Sequence, residues 1–259
     1  MANDFSTDGN CKALWNLESG ALITDSKGTN TLVNVGVDED LIDFKQGSCS
    51  GAFVRANTDR MYITDANLDP GFPLKSGESN KTFSFTFWVK LDQINIYHYL
   101  VQKTAASPNR CFIVDVNNTN HVRLAISRWG FNYTLYVHAS TVQAGRWYHI
   151  GITYYNVPAR EYRIRIWDDT AGSILGVDGT GLPIDINISA TPFTLSDSAN
   201  SLDGNLDEVV VFDDVLSVAE IDQIRSGTYG AAPPPAVGKF GSLISKEVIE
   251  QETGVFAEI

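Results

Sequence analysis

The stretch KTFSFTFWVKLD, Lys81 to Asp92, places Phe83, Phe85, Phe87, Val89 and Leu91 on one face of an extended chain and Ser84, Thr86, Trp88 and Lys90 on the other. A period of two is the signature of a strand with one face against a core. Outward from it, CFIVDV (111–116), HVRLAIS (121–127), YTLYVHAS (133–140), RWYHIGITYY (146–155) and YRIRIWDD (162–169) repeat the pattern, with turn residues between them. Their spacing of roughly a dozen residues is that of a sandwich or barrel. No long helical period lies between them, so the sheets are expected to be antiparallel and the fold all-β.

The last strand signal runs without a linker into a helix signal: NLDEVVVFDDVLSVAEIDQIRSG, Asn205 to Gly227. By parity, Asp207 shares a face with Val209 and Val211 and is expected to point inward. A buried carboxylate needs a cation, a fan of backbone N–H groups or a metal, because desolvating it alone costs several kcal/mol. Downstream, Ser217 and Glu220 have capping-box spacing, Ile221 and Ile224 form one apolar stripe, and Gly227 stands where a helix ends, which predicts a single helix over 218–226.

With 259 residues, 43% hydrophobic and 11% aromatic, the chain can bury one large core, expected over residues 1–230. A formal net charge of −12 argues against nucleic acid or anionic membrane as partner. The start, MANDFSTDGNCKALW, has neither a basic nor an apolar leader region, so synthesis in a cytoplasm without a signal peptide is expected. The sequons at Asn80, Asn117, Asn132 and Asn187 are accordingly set aside. Cys11, Cys49 and Cys111 leave at least one free thiol; buried reduced cysteines are expected, with a Cys11–Cys49 bridge as the alternative. After Tyr229 the composition changes: 231–238 is a stiff Pro-rich linker, and 239–259 is an apolar docking segment carrying Ile244, Val248, Ile249 and Phe256.

In chain order, ALWNLESG (13–20), DSKGTNTL (25–32), FSFTFWVKLD, GRWYHIGITYY, YRIRIWDD and LDGNLDEVVVFDDVLSVAEIDQI (202–224) resemble the laminin G-like jelly rolls of the concanavalin A-like lectin and glucanase superfamily. The resemblance implies a two-sheet antiparallel jelly-roll sandwich with one short C-terminal helix and an extended tail. It also implies calcium held by the Asp of a G-x-[IL]-D-E motif with backbone carbonyls, which here is Asp207, with carbonyl donors near Asn16 to Glu18 and Val54 to Arg55. FVRAN (53–57) lacks the acid many relatives carry there, which leaves backbone N–H bonds to Asp207 as the alternative.

The superfamily contains glucanases, but no E-x-D-x-E run offers a carboxylate pair about 5 Å apart for retaining hydrolysis, and the four histidines lack metal-binding spacing. No catalytic residue is expected. Aromatic rings beside polar donors suit sugars, and Trp88, Trp129, Trp167 and Arg165 are the candidates on outer faces. The tail, with I-S-x-E-V-x-E at 244–250, is similar to that of auxiliary virion proteins of tailed bacteriophages. The reading is therefore a non-enzymatic module on a virion that contacts host-surface glycans, with other virion proteins or further copies of the chain meeting the tail. The alternatives are a purely structural decoration protein and a degenerate glycosidase.

Overall fold

The computed structural model describes residues 3–156 and 160–230. Sixteen strands are described: β1 Cys11–Trp15, β2 Val33–Val35, β3 Asp38–Asp40, β4 Ser50–Phe53, β5 Arg60–Ile63, β6 Phe83–Leu91, β7 His98–Lys103, β8 Phe112–Val116, β9 His121–Ser127, β10 Tyr133–Thr141, β11 Trp147–Tyr155, β12 Glu161–Asp168, β13 Ser173–Ile174, β14 Gly179–Gly181, β15 Phe193–Leu195 and β16 Gly204–Phe212. One α-helix follows, α1 Val218–Ser226. Every strand pairing among the described residues is antiparallel.

A nine-stranded sheet has the order β13-β12-β11-β6-β16-β4-β3, with β1 beside β16 and β14 beside β12; a seven-stranded sheet has the order β10-β9-β8-β7-β15-β5-β2. β6 lies at the centre of the first. Its five apolar residues face the second sheet and are buried, as the alternation predicts. Phe83 stacks on Tyr154 at 5.2 Å between ring centroids, Phe85 on Phe112 at 5.2 Å, and Trp15 on Phe193 at 5.5 Å, so rings from both sheets fill the gap. Burying such side chains is the main stabilising term, on the order of 2–3 kcal/mol each.

A second, smaller core lies on the opposite side of the nine-stranded sheet. Phe5, Leu14, Val210, Phe212, Ile221, Ile224 and Tyr229 close it, and α1 supplies the two isoleucines that its apolar stripe predicts. The Ser217 side chain accepts from Glu220 N at 3.2 Å, Glu220 Oε2 accepts from Ser217 N at 2.7 Å, and Gly227 ends the helix at φ 71°. Helix and sheet approach so closely that a Cβ on Gly151 would stand 2.7 Å from Ile221. The three cysteines are free and buried; Cys11 lies in the smaller core and Cys49 in the large one, with the sheet between them, so the Cys11–Cys49 bridge is not formed.

Asp38–Asp40 is an edge strand paired with β4. The docking residues Ile244, Val248, Ile249 and Phe256 lie outside the described residues.

Candidate ligand-binding faces and the buried acid

The simple alternation fails at Asp207. Pairing of β16 with β6 shifts register between Asp207 and Val210, and Glu208 has φ 47°, so one extra residue bulges from the strand. Leu206, Val209 and Val211 therefore share the large core, while Asp207 pairs with Trp88 on the outer face. Asp207 is buried even so, because residues 43–46 lie across it: Lys45 N and Gln46 N donate to Asp207 Oδ2 at 2.7 and 2.9 Å. That segment is strapped down by Asp43, which accepts from Trp147 Nε1 at 2.6 Å and pairs with Lys90. Gly204, the first residue of the motif, has φ 138°, and a Cβ there would meet Lys90 O at 2.0 Å.

Burial pushes the Asp207 carboxyl up to about 7, with the two N–H donors acting against the shift and the Glu18 charge adding to it. Glu208 goes up to about 8, again through burial; Asn3 donates to its Oε1 at 2.6 Å. Neither acid faces an open cleft.

A calcium ion asks for six to eight oxygens, carbonyls included. Asp207 Oδ1 is buried and has no partner among the described residues, and Glu18 adds negative charge nearby, both of which suit a cation. Among the described residues no group of three or more His, Cys, Asp or Glu could hold a metal, so backbone carbonyls would have to complete the shell. The expected donors at Val54 and Arg55 lie away from Asp207: Phe53 pairs with Gly204, and Arg55 N donates to Asp203 Oδ1, so both follow the end of β4 that is remote from Asp207 along β16. The expectation is corrected to the segment near Glu18 alone.

Three of the four sugar-contact candidates stand on this same roofed face. Trp88 points outward, as parity predicts, but is only 3% exposed, because Lys45 Nζ lies 4.9 Å from its ring centroid and His149 packs edge-on at 5.1 Å. Trp167 is capped by the Arg225 guanidinium at 3.7 Å. Arg165 is committed to Asp178 at 2.9 Å and to Asp222 of α1 at 2.8 Å. All three fasten the helix and loops to the sheet, which corrects their assignment as open sugar contacts. His149, in the same cross-strand row, is driven down to about 3 by burial and by Arg225 and Arg165.

Trp129 is different. It sits in the turn between β9 and β10, is 69% exposed, and with Arg128, Phe131, Asn132, Thr134 and Ile184 lines a cavity of about 260 Å³. Gly130 packs so tightly that a Cβ would stand 1.6 Å from Pro108 O, and Arg110 N donates to Gly130 O at 3.2 Å, so the aromatic tip is anchored. The Arg128 guanidinium stands 4.5 Å from the Trp129 ring centroid.

The outer face of the seven-stranded sheet carries residues that the sequence reading passed over. Arg60, Tyr62, Gln102, Thr104, Thr194 and Asp197 line a groove of about 260 Å³. Alternation in β5 and β7 places Tyr62 and Gln102 outward; what was missing was knowledge that this face stays uncovered. A larger cavity of about 380 Å³ lies between Thr153, Tyr155, Arg163 and the start of α1; among its lining residues Glu161 is the one carboxylate, short of the pair that glycoside hydrolysis uses.

A search of curated protein sequences gives no match. Among solved structures, the chain is similar to domain 4 of a GH43 extracellular arabinanase from Geobacillus stearothermophilus, solved with arabinotriose: TM-score 0.51, 14% identity, 85% of this chain and 98% of that one. It is similar also to a botulinum neurotoxin type C structure whose cell entry is described as dependent on two ganglioside molecules, with TM-score 0.56, 11% identity, and coverage of 85% and 51%. The binding domain of botulinum neurotoxin serotype D aligns with TM-score 0.57 and 12% identity over 84% and 51%. The chain thus spans about half the length of the toxin chains, and at these identities the likeness is one of fold. Residues 58–222, more than half of the 259, match the family model of the concanavalin A-like lectin/glucanases superfamily, and the chain belongs to that superfamily.

Proposed function

We propose that this chain is a non-enzymatic glycan-binding module carried on a bacteriophage virion as a decoration or fibre protein. The observation that carries the binding half is Trp129: an exposed indole on an anchored turn, next to Arg128, Asn132 and Thr134, offers a flat apolar surface beside hydrogen-bonding groups. A pyranose stacks its C–H face on such a ring while its hydroxyls find the polar groups. The carbohydrate ligands named for the arabinanase domain and the type C toxin support the same class of ligand. The burial of Asp207 and Glu208 supports a role without hydrolysis.

The test is a glycan array with the full chain, run beside a hydrolysis assay on every sugar that binds. Binding without turnover, weakened severalfold in Trp129→Ala, is expected; no binding, or binding to every sugar that the substitution leaves unchanged, overturns the reading. The virion setting rests on the tail similar to phage virion proteins, and a solution mass that is the same per chain for the full protein and for residues 1–230 counts against self-assembly through that tail.

Calcium at Asp207 is the structural part of the proposal, supported by the unpartnered Oδ1. A bound ion would neutralise that oxygen and tie β16 to the covering loop. Chelation should then lower the melting temperature, by about 2.7 kcal/mol of stability at a hundredfold excess over Kd, and Asp207→Ala should remove the difference. Superimposable melting curves with and without chelator would end the idea.

A further inference from the structure

We propose a second sugar site, separate from Trp129, in the groove on the outer face of the seven-stranded sheet; it deepens the glycan reading above and makes the module bivalent. Its floor is one rung of three adjacent strands, Tyr62 opposite Thr194 and Thr194 opposite Gln102. Strands lie about 4.8 Å apart, so Tyr62 and Gln102 leave the sheet about 10 Å from each other, room for a sugar ring with its hydroxyls between them.

Gln102 is the unusual member. It is 5% exposed, its Nε2 donates to Ser196 O at a long 3.4 Å, and its Oε1 is buried with no partner among the described residues. Buried acceptors are nearly always paired, since an unpaired one has lost its water and gained nothing in return. The Gln102 side chain lines an open groove, and a ligand bound there would pair Oε1 through an O–H or N–H donor once the amide turns toward it.

The rest of the lining specifies that donor. Arg60 makes one long bond, Nη1 to Thr58 O at 3.3 Å, and keeps its other N–H groups for a ligand. Asp197 stands in the same groove and accepts from Ser198 N. An anionic ligand would meet Asp197 and a cationic one Arg60, whereas neutral hydroxyls both donate and accept and so satisfy the two together. Tyr62 supplies the stacking surface. At about 260 Å³ the groove falls below the 300–1,000 Å³ of drug-sized pockets, which suits one neutral sugar residue.

The test is saturation-transfer difference NMR on the full chain with D-glucose, D-galactose, N-acetyl-D-glucosamine and L-arabinose as probes at millimolar concentration. At least one probe should give a signal that falls by half or more in Gln102→Met and in Tyr62→Ala and persists in Trp129→Ala. A signal lost only in Trp129→Ala overturns the groove and leaves the first site standing. With two sites a signal remains in each single-site variant and vanishes only when Trp129→Ala is combined with Tyr62→Ala; a signal wholly lost in the groove variants and unchanged in Trp129→Ala overturns the first site instead, and no signal from any probe overturns both. Without sugar, Gln102→Met should melt at or above the wild-type temperature, because it removes an orphaned acceptor. A drop of several degrees would mean that Oε1 is already paired through water, and would overturn the site.

Discussion

The two outer faces of this sandwich carry similar residues and do opposite things. On the nine-stranded sheet, Trp88, His149, Trp167 and Arg165 are covered by residues 43–46 and by α1 and act as fasteners. On the seven-stranded sheet, Tyr62, Gln102 and Thr194 line an open groove, and Trp129 rises at its hairpin tip. An outward aromatic is thus a binding residue or a structural one according to what the rest of the chain lays over it. The covered face is held by cation–aromatic contacts and ion pairs, and the open face keeps its polar groups for solvent or a ligand.

Measurements on the two faces can break this contrast. The largest effect is expected at Trp88: truncation to Ala should cost about 3–5 kcal/mol of stability, the range for a buried aromatic, read by denaturant unfolding. A cost near zero would mean that the roof over it opens in solution. Next comes His149. Its folded value of about 3 lies below the ordinary 6.5, so the unfolded chain binds the extra proton as pH falls. The stability from keeping it neutral is complete above pH 6.5 and is lost as pH drops toward 3, about 3 kcal/mol by pH 4.5. His149→Gln should remove that component from the pH profile, and identical profiles for the two proteins would place His149 in contact with water. The smallest stability change is expected at Trp129→Ala, within about 0.5 kcal/mol, although it should weaken sugar binding. A large loss of stability there would make the tip a structural element and erase the difference between the faces.

Much of this architecture was legible because strand alternation is a local property. Phe83, Phe85, Phe87, Val89 and Leu91 faced the core as read, His121–Ser127 and the helix over 218–226 fell where their residues placed them, and Ser217 with Glu220 formed the capping box. The site was less legible. Trp88, Trp167 and Arg165 were assigned the correct side of their strands and the wrong environment, and Tyr62 and Gln102 went unnoticed because an isolated Tyr or Gln on a strand has no motif.

What the sequence alone determined is the periodicity, hence the class of fold, the two faces of each strand, the helix with its caps, and the acid that had to find partners. What only the tertiary structure decided is which faces are covered and where the count slips. One extra residue at Asp207–Glu208 moved Asp207 from the core side to the outer side, where Lys45 and Gln46, more than 160 residues earlier, bring their N–H groups to it. Neither the bulge nor the roof leaves a local signal, because each depends on segments distant in sequence meeting across the sheet. Side-chain direction follows from neighbouring residues along the strand; exposure follows from the whole chain.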